Sequence, residues 1–380
     1  MKKTLAPLFF AATCALSQAA ETPTITISKS DKLSISVNGL NPEISKVLQN
    51  DLLMSGYFKL TAPGSPAAGF SVSGSGGGTS PLSGKVEERG GKTVLSKTFN
   101  GAGRAQAHQF ADEIVETLTG VHGIASTKLA FVATRTGKKE IYTADADGSN
   151  LTQLTHDSSI SVSPRLSPDG RWLVYTGYKG GYADVYQIEL SSGARNRIIK
   201  YPGTNSGATY SPDGNRLAVT MSKDGNPELY VTSSSGGGPQ RLTKTAGVES
   251  SPTWSPDGGE LIYSSDDRGT PQLYRISASG GTPKLLSTGH SYNTEPNWSP
   301  DGKSVAFNVR EGGSFAVAIL DLSSGHTRTV GEGQDPTWGA DSRHLIFASG
   351  GAVILLDAQT GQKTTLASGL GKISEPTWSR

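Results

Sequence analysis

The chain has 380 residues, 48 of them Gly and 18% charged, a composition of turn-rich β structure with apolar content sufficient for a core. Setting aside Lys2 and Lys3, which belong to the leader described next, 33 basic residues stand against 33 acidic ones, a balance that points away from nucleic acid and anionic membrane surfaces. The single cysteine, Cys14, falls in the same leader, so no disulfide framework is expected.

Residues 1–20 read as a secretory signal peptide: Lys2 and Lys3, an apolar run over residues 5–16, then Ser17-Gln18-Ala19-Ala20 with small residues for cleavage. The run is too short to span a bilayer. A lipoprotein reading of Cys14 lacks the small residue it needs where Thr13 stands. The mature chain is therefore expected to be soluble and exported.

Residues 21–123 are predicted to form a small α/β domain. Residues 24–28 and 33–37 alternate apolar with polar and read as strands. Asn41-Pro42-Glu43 is a helix start, with Asn as cap, Pro at the first helical position and an acid in the first turn. Ile44, Val47, Leu48 and Leu52 then share one face, and Gly56 ends the helix. Residues 61–81 are rich in Gly, Ser, Ala and Pro, with Phe70 and Val72 marking a strand between loops. Residues 82–87 and 93–99 read as a hairpin around Arg89-Gly90-Gly91. A second helix is predicted over residues 104–118, with Gly120 just past its end.

From residue 124 to 380 one stretch recurs. Its clearest copies are Ser251-Pro252-Thr253-Trp254-Ser255-Pro256-Asp257-Gly258 and Glu295-Pro296-Asn297-Trp298-Ser299-Pro300-Asp301-Gly302. Aligned positions Leu166, Tyr210, Trp254, Trp298, Trp338 and Trp378 are spaced by 44, 44, 44, 40 and 40 residues, and a fixed period near forty marks one repeated supersecondary unit. Ser-Pro-Asp-Gly suits a tight turn between two strands, and further apolar runs complete four short strands per repeat, the makeup of a propeller blade. Residues 128–155 hold three strands without a first one, and residues 374–379 are a first strand with nothing after it. The prediction is an all-β six-bladed β-propeller closed by pairing of those two segments, which removes exposed edges.

Enzyme motifs are incomplete. His108, His122, His156, His290, His326 and His344 are scattered and form no metal pair at helical spacing. Gly69-Phe70-Ser71-Val72-Ser73 stops one residue short of a nucleophile elbow, and neither Gly101-Ala102-Gly103 nor residues 74–78 completes a phosphate loop. Asp145-Ala146-Asp147-Gly148-Ser149-Asn150 resembles a calcium loop in composition but has its Gly two places early, so a turn explains it better. No cofactor or metal is expected. The recurring tryptophans are expected in the core, and Asp169, Asp213, Asp257 and Asp301 in turns.

The loops entering the innermost strands should ring one mouth of the central channel. Reading that place around the ring gives Val162-Ser163, Ser206-Gly207, Glu249-Ser250, Thr294-Glu295, Gln334-Asp335 and Ser374-Glu375. Carboxylates at Glu249, Glu295, Asp335 and Glu375 predict an electronegative mouth that attracts a basic or amide-rich partner, although solvated loop polarity gives the same pattern.

Asn50-Asp51-Leu52-Leu53-Met54-Ser55-Gly56-Tyr57-Phe58 resembles the DLxxSGxF stretch of the TolB family. Residues 108–132, with Ala111-Asp112-Glu113-Ile114 and Leu118-Thr119-Gly120-Val121-His122-Gly123-Ile124, resemble that family's helix and its crossing into a six-bladed propeller. With the leader and the repeats in the same order, the resemblance covers essentially the whole mature chain. It departs between Phe58 and Leu82, where the Gly/Ser stretch makes the first domain shorter. The resemblance implies a periplasmic, noncatalytic, monomeric component of a Tol-Pal system that supports outer-membrane integrity and cell division. It implies that the propeller mouth receives a Pal-like peptidoglycan-associated lipoprotein, with Thr294 and Glu295 at the contact and Asn205 and Gly207 in a loop the family also uses. It further implies that the mature N-terminus, Glu21, Thr22, Pro23, Thr24 and Ile25, reaches a TolA-like inner-membrane protein. A β-branched segment of that kind also suits an ordinary first strand. The alternative is a secreted propeller enzyme or a small-ligand-binding propeller with its site in the channel.

Overall fold

In a computed structural model, the structure describes residues 32–379. The leader, the strand expected over residues 24–28 and the partner-binding residues Glu21, Thr22, Pro23, Thr24 and Ile25 lie outside the described residues. Among the described residues, no helix is long and apolar enough to cross a membrane.

The first unit runs β1 (Leu33–Val37), α1 (Pro42–Met54), β2 (Phe58–Leu60), β3 (Phe70–Gly76), β4 (Leu82–Glu88), β5 (Thr93–Phe99) and α2 (Arg104–Thr119). Its sheet has the order β2-β1-β3-β4-β5, with β1 parallel to both neighbours and β3 to β5 antiparallel. The Asn41 side chain accepts from the Glu43 backbone N–H at 2.9 Å, and Pro42, which lacks an N–H, occupies the first turn. Ile44, Val47, Leu48 and Leu52 of α1 meet Phe110, Ile114 and Leu118 of α2 and Val72, Leu82 and Val86 of the sheet in one core. Gly120, at φ 71°, ends α2.

Six four-stranded sheets follow, arranged as blades of a β-propeller. The innermost strands are Ser161–Leu166, Asn205–Tyr210, Glu249–Trp254, Asn293–Trp298, Gln334–Trp338 and Ile373–Trp378; the blades are numbered here from 2 through 6, with Ile373–Trp378 completing blade 1. That last strand pairs antiparallel with Lys128–Ala133, with Trp378 opposite Leu129 and Ile373 opposite Ala133. The two ends of the repeat array thus make one sheet, which is the closure the truncated repeats predict.

The repeating turn is built as its residues dictate. In Ser255-Pro256-Asp257-Gly258, the Gly258 N–H donates to the Ser255 carbonyl at 2.9 Å and the Ser255 hydroxyl to Asp257 at 2.6 Å. The same Ser-to-Asp bond occurs at Asp169, Asp213 and Asp301, and the serine hydroxyl is the leading cause that holds Asp169, Asp213 and Asp257 below the usual carboxylate range.

Each tryptophan of an innermost strand packs on the blade before it. Trp254 lies with Ala218 and Leu229 of blade 3, Trp298 with Ile262 and Leu273 of blade 4, Trp338 with Ala306 and Val317 of blade 5, and Trp378 with Ile346 and Val353 of blade 6. All four are at most 3% exposed.

One contact between the two units runs through blade 6. The buried Arg343 guanidinium bonds the Asp357 carboxylate at 2.6 and 3.1 Å, donates to the Gly56 carbonyl at 3.2 Å and lies 4.3 Å from the centre of the Tyr57 ring. A side chain at position 56 would strike that guanidinium at 2.5 Å, and Gly56 also has φ 74°, so the turn after α1 needs glycine twice over. Burial opposes ionisation of Asp357, but Arg343 outweighs it and holds the carboxyl well below its ordinary value.

Two stability outcomes follow from this packing. Trp378→Ala is expected to cost about 3–5 kcal/mol in urea unfolding, the usual range for emptying a core tryptophan site; a loss under about 1 kcal/mol would show that closure does not depend on it. Arg343→Ala strands a buried carboxylate and is expected to cost about 3–5 kcal/mol, with Arg343→Ala/Asp357→Ala recovering part of the loss in the same measurement.

Candidate functional site

Near the start of each innermost strand among the described residues, at the third residue of five strands and the second of Gln334–Trp338, Ser163, Gly207, Ser251, Glu295, Asp335 and Glu375 have φ between 50° and 63°, and the pairing with the next strand slips there. Each is a β-bulge in the left-handed region. Five of the six are not glycine, and a non-glycine residue there stores about 1–3 kcal/mol. The site positions are therefore within the strands rather than in the loops before them, and the bulge turns each one toward the axis.

The six bulges open on a cavity of about 540 Å³, lined among others by Ser163, Gly207, Ser251, Glu295, Asp335 and Glu375. Three consecutive blades, 5, 6 and 1, supply the carboxylates. The opposite end of the channel is a smaller cavity of about 200 Å³ lined by prolines of the repeating turns with Trp254 and Trp378. Arg165 lines both cavities, so its guanidinium faces the acids from within the channel.

Several ring residues also join neighbouring blades. The Ser163 N–H donates to Glu375, the Glu375 N–H to Asp335 Oδ2 at 2.9 Å, the Asp335 N–H to Asn308 Oδ1 at 2.9 Å and the Gly207 N–H to Thr176 Oγ1 at 3.1 Å. Each bulge N–H here is satisfied by the preceding blade. Glu295 instead accepts from the Ser251 hydroxyl at 2.7 Å and, among the described residues, caps no backbone group. Burial, then the Glu295 and Glu375 charges, push Asp335 up to about 7. Burial also raises Glu295, against the Ser251 hydroxyl and the Arg165 charge.

Two of the expected mouth residues are elsewhere. Glu249 and Asn205 open their strands two residues before the bulge and are fully buried. Asn205 ties down the preceding loop through the Tyr201 carbonyl at 2.7 Å and Asp184 at 3.1 Å. Glu249 accepts from Ser265 and Thr245 at 2.7 and 2.8 Å; burial, and then the facing Glu228, push it up to about 7. In blade 4 the expected pair Glu249-Ser250 lies one residue early and Ser251 faces the channel, whereas in blade 3 the expected Gly207 is at the bulge. Thr294 is half-buried beside Glu295 and outside the cavity lining. The usable signal was the residue before the proline, as in Ser251-Pro252, Glu295-Pro296, Asp335-Pro336 and Glu375-Pro376. Arg165 was missed because nothing near it in the chain marks an inward-facing cation.

Among the described residues, one group offers three metal-ligating side chains: His108 of α2 with Asp145 and Asp147 of blade 1. The residues 145–150 stretch is a turn between strands, as expected, with the Gly148 N–H on the Asp145 carbonyl at 2.8 Å. Its approach to His108 was not legible.

The comparisons agree with this architecture. The chain is similar to the Acinetobacter baumannii TolB crystal structure, with a TM-score of 0.80 over 92% of this chain and 97% of that one at 24% identity. It is 38% identical over 136 residues to a protein TolB homolog of Chlorobaculum tepidum, covering 33% of this chain and 31% of that one. It is 32% identical over 197 residues to the Tol-Pal system protein TolB of Legionella pneumophila, covering 45% and 47%. These alignments span about a third to a half of the curated relatives' length. The family model described as the TolB beta propeller domain matches residues 115–380. With that match lying over six closed blades and a small α/β unit before them, the chain belongs to the TolB family.

Proposed function

We propose that this chain is a noncatalytic binding component of a Tol-Pal-type envelope complex, acting in the periplasm after export. It links a Pal-like peptidoglycan-associated lipoprotein, held at the propeller mouth, to a TolA-like inner-membrane protein reached through residues 21–25. That linkage supports outer-membrane integrity and division. The observation that carries the reading is the acidic half-ring of Glu295, Asp335 and Glu375 around an open cavity, on a propeller whose relatives include proteins named for the Tol-Pal system.

The geometry suits recognition of a basic or amide-rich surface. Glu295 keeps one oxygen for a partner while Ser251 holds the other at 2.7 Å. Asp335 stands near its point of half-ionisation at neutral pH, so an approaching cation draws off its proton and gains a charge partner. Gly207 leaves a gap in the ring where no side chain stands. Thr294, beside Glu295, borders the same surface, whereas Glu249 and Asn205 act by holding the strands that carry it.

A second reading draws on the same cavity, whose volume of about 540 Å³ falls in the range of small-molecule sites. A cationic small ligand or substrate in the channel would use the same three carboxylates.

Calorimetric titration with the periplasmic domain of the same organism's Pal-like lipoprotein separates the two. Saturable binding weakened about 30-fold or more by Glu295→Arg is expected, since losing one member of a buried charge pair costs about 2–5 kcal/mol. Absence of binding by folded wild-type protein would overturn the reading and turn attention to small cations. The pH dependence has a definite sign. Asp335 is protonated below about 7 and binds a basic surface better when ionised, so affinity is expected to rise several-fold from pH 6 to pH 8. Asp335→Asn is expected to flatten that rise.

A further inference from the structure

We infer that the junction between the first unit and the propeller holds a divalent first-row transition ion, zinc in the first instance, ligated by His108 Nε2, Asp145 and Asp147. This inference does not rest on the binding role proposed for the propeller mouth.

The geometry is that of a prepared ligand set. The donor atoms of the three side chains lie within 4.8 Å of one another, and two ligands each about 2.1 Å from a zinc ion stand at most about 4.2 Å apart. His108 Nε2 and Asp145 Oδ2 are already 4.0 Å apart, so modest side-chain movement completes the set. Imidazole with carboxylate oxygens is a donor mixture that zinc accepts, whereas calcium and magnesium take oxygen alone.

The histidine supplies the independent observation. Its side chain is 4% exposed, and among the described residues its Nε2 has no hydrogen-bond partner. A buried ring nitrogen is ordinarily satisfied, and 4.0 Å is too long for a hydrogen bond to Asp145. The other ring nitrogen is fixed: Nδ1 lies 2.7 Å from Asp51 Oδ2, and Asp51 is itself buried. With Nδ1–H donating to that carboxylate, the Nε2 lone pair faces Asp145 and Asp147. A carboxylate behind a histidine that presents its far nitrogen is the usual outer shell of a metal-bound imidazole.

Charge points the same way. Asp51, Asp112, Asp145 and Asp147 cluster around the ring, against Arg104, which pairs with Asp147, and Lys128, which pairs with Asp145. Four carboxylates facing two cations leave room for one divalent charge. Those pairs and the turn bonds from Ser149 and Asn150 fix the two acids without using all their acceptor capacity, since each carboxylate offers about four lone-pair sites. The consequence is mechanical: α2 and blade 1 are joined by bonds far more directional than packing.

Titrating the metal-stripped protein with zinc chloride in a calorimeter tests this, with calcium and magnesium chlorides as separate arms. One zinc per chain is expected, with no comparable heat from the other two ions, and saturating zinc should raise the melting temperature by several degrees. His108→Gln and Asp147→Asn should each weaken zinc binding about 100-fold, and Asp51→Asn, a positioning substitution, about 10–100-fold. His122→Gln, on an exposed histidine, should leave it unchanged. Asp147 is on a half-buried turn, so Asp147→Asn decides the matter where His108→Gln fails to fold. Folded wild-type protein that takes up no zinc, zinc binding indifferent to Asp147→Asn, or saturation by calcium instead would overturn the inference.

Discussion

A ring of sheets holds only when every blade is packed against the one before it, and in this chain the residue ending an innermost strand makes that contact, a tryptophan in four blades and Leu166 or Tyr210 in the other two. Trp254, Trp298, Trp338 and Trp378 each lie against second- and third-strand residues of the preceding blade. The contact made by Trp378 is the one that matters for topology, because its strand pairs with Lys128–Ala133. A chain whose first repeat lacks an inner strand and whose last repeat is only an inner strand removes both edges by this one pairing.

The channel mouth depends on that closure. The bulge residues are turned inward by a backbone conformation that five of them adopt at a cost, and closure holds them there. Once inward, Glu295, Asp335 and Glu375 crowd one side of the cavity, with Arg165 facing them and Lys139 and Lys372 also lining it. Asp335 and Glu375 also cap backbone N–H groups of the next blade. The acids therefore serve the ring and charge its mouth with the same atoms, while Glu295, among the described residues, accepts from the Ser251 hydroxyl. Burial in company with like charges brings Asp335 close to half-ionisation near neutral pH.

Blade 1 carries two of these features at once. Its inner strand, Ile373–Trp378, presents Glu375 to the channel, and its strand Glu140–Asp145 ends at the turn that meets His108. The first unit thus touches the sheet made from both ends of the repeat array, and touches blade 6 through Arg343, Gly56 and Tyr57. The two blades contacting the first unit are also two of the three that supply the acidic half-ring.

Much of this was legible from local rules. The near-forty period, the Ser-Pro-Asp-Gly turns, the Asn41 cap and the complementary broken repeats each report on a few neighbouring residues, and a repeat multiplies such signals until they specify a fold. The acids Glu295 and Asp335 were legible for the same reason, since each precedes the proline of its repeat. Glu249 was misplaced because a strand's faces alternate and a bulge shifts the count, so a one-residue error exchanges a channel position for a buried one, while Asn205 entered through the family resemblance rather than the strand pattern. Arg165, the approach of Glu228 to Glu249 and that of His108 to Asp145 and Asp147 had no local signal at all. The sequence by itself determined the units that repeat and how they close; the tertiary structure alone decided which charges meet, because pairs such as His108 and Asp145 are brought together by packing between elements that no short-range pattern connects.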